Sequence, residues 1–574
     1  MRHHCRTLSR QILRCFIVEE WYFYYMGHHS TIYYESLLFA TLCAIFLRIF
    51  FRMRTRCTLV REKYALVAVY RIFFPIVKQE RMWNNLFVTK QGICSCQSPS
   101  MEEETRMQNK ISLFGAVSTG IGMIIATSCF IPLASGASTV GITFIIALIL
   151  VCMVNMMAAG SIAELNALMP NLTGGLAQYT LVGLGPFVTI VVMVGGYIIS
   201  NVFAAPAEGA MFANVMANFI GGDIPTSVYS VALTMVLIFV NLRGMTMSAL
   251  VQTAIASFMV ISLFLLGLIG ALGLGTGIEV EQAPVLSFSP GDIFPLMTTA
   301  FWLFIGSEFI VPLGKDMKNP KRNVPRAMLL SLAIMGIIQC VMVLGFSHYT
   351  PWAAVGADDS PHLLYATALL GEPGRWWMIF AALFAAVSTQ NSIICSVAEI
   401  CCGMAKIRLL PAIFQKKNKY GAPYLIIWLL GIATILIETT DISSGEAITF
   451  LILCSSLFWM VTYIICHVNV IILRRKMAQA PRSFKMPLFP LFQAIGIVAT
   501  MYMIYYISTD PDERMLIFKL TFALFLGIGI WALYWVRYHL HLPIFRHIPL
   551  PQVMAMENPA YYLTRHPEEI HPKN

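Results

Sequence analysis

The chain has 574 residues, of which 58% are hydrophobic and only 12% charged, with a mean hydropathy of +0.72. A soluble domain of that composition could not cover its apolar surface, so soluble classes are excluded and a membrane protein remains. The formal net charge of +10 does not point to nucleic acid, because residues 1–100 hold 14 Lys and Arg against 5 Glu while residues 101–574 hold 25 against 24 acidic groups.

The first hundred residues also differ in other ways. They carry 6 of the 14 Cys and 2 of the 38 Gly, with no sustained helical period. The run 36–51 is interrupted by Arg48, is short for a bilayer crossing and lacks a signal-peptide cleavage pattern. Two readings of this basic N-terminal extension, 1–106, are compatible with the pattern. The preferred one is a translated upstream region with the functional chain starting at Met101 or Met107, and the other is a basic arm for a membrane surface.

From residue 111 onward twelve apolar stretches approach the roughly 20 residues that a bilayer-crossing helix needs. They fall near 111–135, 139–162, 186–212, 225–242, 247–274, 291–314, 326–347, 376–404, 422–438, 446–472, 487–508 and 514–536. Most connections are short, and the longest, 347–376, carries Asp358, Asp359 and a predicted short helix. No extramembrane catalytic domain fits in what remains. Placing the residues before span 1 on the cytoplasmic side puts 22 of the 25 Lys and Arg after residue 100 there, leaving only Arg375, Arg514 and Lys519 opposite. By the positive-inside rule both termini are then cytoplasmic, including a tail at 541–574.

Taken in chain order, span 1 is interrupted by Gly115, Gly120, Gly122 and then Ala126-Thr127-Ser128, with Pro132 following. Span 3 carries Tyr197 and Asn201, each able to line a cavity or to satisfy a neighbouring helix, and Glu208 after Pro206. Glu208 is predicted at the wet outer rim of its span. Span 6, TAFWLFIGSEFIVPLGKDMKNPKRNVPRA (299–327), is broken by Gly306-Ser307-Glu308 and Pro312 and ends in cations. An ionised Glu in such a segment adds roughly 2.5–3.5 kcal/mol to insertion, and such residues usually face a pathway rather than lipid. Span 8 carries Ser388, Thr389 and Asn391, and span 10 Tyr463 and His467, the latter read as a hydrogen-bonded packing histidine. The eight cysteines after residue 100 all lie in apolar spans and show no metal-ligand or disulfide spacing, so no metal or cofactor is implied.

The interruptions of spans 1 and 6 lie about 180 residues apart. Spans 1–5 and 6–10 can then be two halves of opposite topology, since an odd number of crossings inverts the second half. In hydrocarbon an unwound turn survives only where protein packs it or water reaches it. Its free N–H groups can receive a carboxylate and its free carbonyls an ammonium, and an amino acid carries both. Glycines in these turns also fit close helix–helix packing.

At these residues the chain resembles the amino acid–polyamine–organocation family of permeases, over about residues 110–510. GIGMIIATSCF (120–130) is similar to the family's first-span signature, and Ala163-Glu164-Leu165 with Gly174, Gly175 and Tyr179 to its second-span exit. GSE with KNPKRNVPRA (306–308, 318–327) is the strongest match; 391–411, GAPY (421–424) and 473–490 follow in order. The resemblance implies an all-α membrane protein of twelve transmembrane helices, an inverted five-plus-five repeat (LeuT-like fold) with two extra C-terminal helices and broken helices 1 and 6. The permease domain would span 107–540, with repeats at 111–274 and 291–472 and the last two helices at 487–536.

Carried over residue by residue, Trp302 falls where a family member stacks an aromatic on its substrate, and Ile305, Gly306 and Ser307 supply the span-6 break. Glu308 falls on the acidic position after the glycine. In span 1 the family's Gly-x-Gly reads Ala126-Thr127-Ser128, which gives the backbone less freedom to open. The candidate substrate-binding residues are therefore Ala126, Thr127, Ser128, Tyr197, Asn201, Trp302, Ile305, Gly306, Ser307 and Asn391. Glu308, Glu164 and Glu399, the last replacing a common Arg, are candidates for coupling or gating. The implied activity is secondary transport of an amino acid or related amine across the inner (plasma) membrane, coupled to a proton, a sodium ion or exchange. A membrane sensor that binds the same solute without moving it is the alternative, and the sequence has no motif for an enzyme.

Overall fold

The computed structural model describes residues 111–169, 175–221, 224–244, 249–282, 290–440, 442–550 and 552–553. The basic extension, Gly174 and most of the C-terminal tail lie outside them. Among the described residues the fold is all-helical, and the one β feature is an isolated bridge pairing Ile111 with Met317.

Helix covers each of the twelve apolar stretches. The first is split into α1 (Leu113–Ile124) and α2 (Phe130–Val140), joined by a 3-10 turn at Thr127–Cys129. Ser112 caps α1 by accepting the Gly115 N–H at 3.2 Å. The second stretch is α3 (Phe144–Leu168), followed by the short α4 (Leu176–Leu184). The third runs through α5 (Pro186–Met193), a π-helical turn at Val194–Ile199 and α6 (Ser200–Ile220). Next come α7 (Thr226–Leu242) and α8 (Ala249–Ala271). The sixth stretch is again split: α9 (Pro290–Phe301) and a 3-10 turn at Trp302–Phe304 stop at Ile305-Gly306, and a 3-10 segment continues over Ser307–Asp316.

The chain goes on through α10 (Pro320–Tyr349) to the long connection, which holds two short helices, α11 (Trp352–Ala357) and α12 (Pro361–Leu370), where the sequence predicts one. The last five are α13 (Glu372–Lys406), α14 (Tyr424–Glu438), α15 (Gly445–Lys476), α16 (Leu491–Tyr505) and α17 (Pro511–Tyr534).

Among the described residues eight helical stretches are long and apolar enough to cross a membrane. The difference from twelve has two sources. The helices over spans 4, 9 and 11 are only 17, 15 and 15 residues long, and α2 runs into α3 through a 3-10 turn at Gly141–Thr143, so that Thr127–Leu168 is one continuous helical stretch.

Large side chains such as Phe239, Ile261, Leu436, Val498, Phe522 and Ile530 remain more than half exposed. In water each would forfeit about 25 cal/mol per Å² of apolar area, whereas acyl chains remove that penalty. The interior is drawn mainly from α3, α6, α9, α13 and α15. The 3-10 turn of the first stretch packs between α6 and α13, and the 3-10 segment after Gly306 packs on α1, α3 and α10. Both interruptions are therefore covered by protein on all the sides these helices supply.

Candidate functional site

The first break forms without glycine. Ile125 closes α1 with φ −78° and ψ 102°, and Ala126 follows at φ −113° and ψ 149°. Both are extended conformations that any L-residue adopts, so the absence of Gly-x-Gly does not keep the chain wound here, contrary to the sequence expectation. The N–H groups of Thr127 and Ser128 are left without helical carbonyls, and each must find another acceptor.

That acceptor is Glu208. Thr127 N donates to its Oε2 at 3.0 Å and Ser128 N to its Oε1 at 3.1 Å, with the Ser128 hydroxyl donating to the same Oε1. Glu208 is fully buried on α6. The sequence reading placed it at a wet rim, and the structure corrects this. Its neighbours explain the depth: Ala204, Ala205, Ala207, Gly209 and Ala210 give α6 a small-residue surface that packs closely against other helices. That run, ending next to an otherwise uncompensated carboxylate, is the signal the sequence held.

The second break does depend on glycine. Ile305 is extended and Gly306 has φ +122°, a region that side chains rarely enter. A Cβ there would also come within 2.7 Å of the Met123 carbonyl oxygen, so the two breaks touch backbone to backbone. Glu308 turns back over this turn. Its Oε2 accepts the Gly306 N–H at 3.3 Å and the Tyr463 hydroxyl of α15 at 2.9 Å.

Between the breaks lies a cavity of about 60 Å³. Its lining comes from five of the apolar stretches: 1 (Gly122, Met123, Ile124, Ala126), 3 (Asn201, Ala204, Glu208), 6 (Trp302, Ile305, Gly306, Phe309), 8 (Thr389, Ser392, Ile393, Ser396) and 10 (Trp459). The Trp302 indole donates to the Ser128 hydroxyl at 3.0 Å, tying the second break to the first. Trp459, which the sequence reading did not single out, packs edge-on to Tyr197 at 4.7 Å between ring centres.

Of the predicted residues, Ala126, Asn201, Trp302, Ile305 and Gly306 line the cavity. Thr127, Ser128, Ser307, Glu308 and Tyr197 are buried immediately behind it. Asn391 is turned away, its side-chain carbonyl accepting the Asn241 amide of α7 at 2.8 Å.

A model of the amino acid permease family matches residues 111–533. The chain belongs to that family. It is therefore a multi-pass membrane transporter and not an enzyme. The chain is 21% identical over 443 residues to a methylthioribose transporter of Bacillus subtilis (strain 168), an alignment covering 74% of this chain and 93% of that protein. It is also 21% identical to the branched-chain amino acid permease BcaP of the same organism, over 75% of this chain and 94% of that one. A solved structure, the Eremococcus coleocola manganese transporter, aligns with 11% identity and a TM-score of 0.48, covering 79% of this chain and 99% of that one.

Two further residues of the permease stand away from the cavity. Glu164, at the end of α3, is held by a two-pronged contact from Arg474 of α15, 2.6 Å to each oxygen, and by the Met486 N–H at 2.9 Å. Arg474 also lies over the Phe489 ring, 4.3 Å from its centre. Glu399 is exposed on α13 and forms no ion pair among the described residues. His467 is buried with its Nδ1 2.9 Å from the Ser161 hydroxyl, a packing contact between α15 and α3. All eight described cysteines are free thiols.

Proposed function

We propose that this permease carries an amino acid or a related amine across the inner (plasma) membrane by alternating access, as a symporter or exchanger. The observation that carries this reading is the contact of two broken helices beside one cavity, Gly306 against Met123, with backbone N–H groups there served by buried carboxylates instead of helical carbonyls. Relatives named as amino acid permeases, a D-serine/D-alanine/glycine transporter and polyamine transporters support a small amine-bearing solute.

In this reading all twelve apolar stretches cross the bilayer. At 1.5 Å per residue, helices of 15–17 residues span about 23–26 Å, a mismatch that local thinning and snorkelling side chains absorb. Stretches 1–5 (111–274) and 6–10 (291–472) form the inverted repeats, 487–536 adds two helices, and both termini are cytoplasmic. The Glu164–Arg474 contact bridges the two repeats at the cytoplasmic end. It is suited to act as a gate that must part when the cavity opens inward. Trp302 and Ile305 contact the solute, while Glu308 and Tyr463 hold the break in shape.

The driving ion is a proton or sodium, unless the cycle is exchange. Moving one net charge inward gains about 2.3 kcal/mol per 100 mV, so a coupled cycle that moves net charge responds to potential and exchange of equally charged solutes does not. Uptake and counterflow in proteoliposomes at imposed potentials test the proposal. Solute binding without counterflow would replace the transporter by a sensor, and unchanged kinetics in both Trp302→Ala and Glu308→Gln would remove the site.

A further inference from the structure

We infer that the solute taken by this cavity is an amine without a carboxylate, with Glu208 as its fixed counter-charge. The inference deepens the functional reading above and rests on the cavity between the breaks being the solute site.

Three groups in the first break that could receive a carboxylate are the N–H groups of Thr127 and Ser128 and the Ser128 hydroxyl. All three already serve Glu208, at 3.0 and 3.1 Å for the two backbone donors. The Ser128 oxygen in turn accepts the Trp302 indole N–H at 3.0 Å. The protein thus supplies from α6 the anion that a zwitterion would bring, and the cradle is full.

The carboxylate that fills the cradle also lines the cavity, and it is the one charged residue in the lining. Among the described residues no Lys, Arg or His lines the space, so none of them would neutralise a second carboxylate. Behind the wall, Glu308 is acidic too and keeps its Oε1 without a hydrogen bond among the described residues. A carboxylated solute would meet like charge there with these three donors of the first break already spent, whereas an ammonium meets opposite charge. Two indole rings, Trp302 and Trp459, belong to the same lining, and aromatic rings attract cations.

Three matched pairs, each an amine and the amino acid from which decarboxylation would give it, make the test: isobutylamine and valine, phenethylamine and phenylalanine, 1,5-diaminopentane and lysine. Binding to the purified full-length permease is read as thermal stabilisation, which requires no transport. In at least one pair the amine is expected to bind tenfold or more tightly than its amino acid. Glu208→Gln is expected to weaken that amine at least tenfold, and Glu208→Asp to retain part of the affinity. In Glu208→Gln the single carbonyl can still accept one of the two N–H groups while its amide faces the other, and the wild-type comparison stands without any variant. The absence of any pair in which the amine binds tenfold more tightly than its amino acid, no amine binding at all, or full amine affinity in Glu208→Gln would each overturn the inference. Amines that bind but show no counterflow in proteoliposomes would overturn the transport reading and leave this one standing.

Discussion

The carbonyl oxygen of Met123 lies so close to Gly306 that a Cβ at residue 306 would sit 2.7 Å from it. This contact joins the two helix interruptions directly, without an intervening side chain. It makes residue 306 intolerant of substitution for two independent reasons: the approach itself and a φ of +122°.

Gly306→Ala is accordingly expected to lower stability by more than the roughly 1–3 kcal/mol that a strained backbone position costs, because the two breaks must also move apart. Uptake should fall with it. A thermal melt of the purified variant beside an uptake assay checks this, and wild-type values for both would show that the breaks are not held in register by this contact.

Glu308 and Tyr463 meet at 2.9 Å in the protein interior. Tyr463→Phe deletes only the hydroxyl, and Glu308→Gln only the charge and one acceptor. Because each change removes the partner of the other, the double variant should cost less than the sum of the two, with a coupling of about 0.5–3 kcal/mol. Strict additivity of the melting free energies would mean that the hydrogen bond does not hold Glu308 over the Gly306 turn.

At the end of α3, Arg474 and Arg482 both approach Glu164 but not equally. Arg474 makes two hydrogen bonds of 2.6 Å, while the Arg482 Nε stands 3.8 Å from Glu164 without a hydrogen bond and its Nη2 donates to the Leu473 and Met477 carbonyls. Arg474→Ala leaves a buried carboxylate short of its main partner and is expected to cost roughly 2–5 kcal/mol. Arg482→Ala should cost less. Arg474→Lys should not restore the wild type, since an ammonium cannot reproduce the fork. Melting curves of the three variants rank them, and an equal or larger loss in Arg482→Ala would reverse the assignment.

What the sequence disclosed, and what it hid, follows from the range of each interaction. Apolar length marked the twelve stretches that the long helices cover, though not the short helix Leu176–Leu184, and Gly306-Ser307-Glu308 marked the second break, because both signals are written in consecutive residues. The first break was read as stiffer than it is. A chain can leave a helix through extended φ values at Ile125 and Ala126 as readily as through glycine. Glu208 was missed for a different reason. Its partners lie about 80 residues earlier, and only the packing of α6 against the first break decides whether that carboxylate faces a rim or a cradle. Asn391 shows the same limit in the other direction. Position on span 8 suggested the cavity, but helical rotation turns the side chain toward α7.

Asn391 supplies the last prediction. Its side-chain carbonyl accepts the Asn241 amide at 2.8 Å, and the Asn241 carbonyl in turn accepts the Cys395 thiol at 2.8 Å, so α7 and α13 are joined by a small buried polar cluster. Asn391→Ala leaves an amide donor of Asn241 unpaired, which is expected to cost about 1–3 kcal/mol of stability. Because Asn391 does not line the cavity, the KM of the folded variant should stay within about twofold of wild type, a change worth less than roughly 0.5 kcal/mol of binding. Trp302→Ala should show the reverse pattern, a raised KM, because it deletes a cavity wall. The two variants measured side by side separate helix packing from solute contact. A tenfold rise in KM for Asn391→Ala at unchanged stability would move that residue into the site and require α13 to rotate during the cycle.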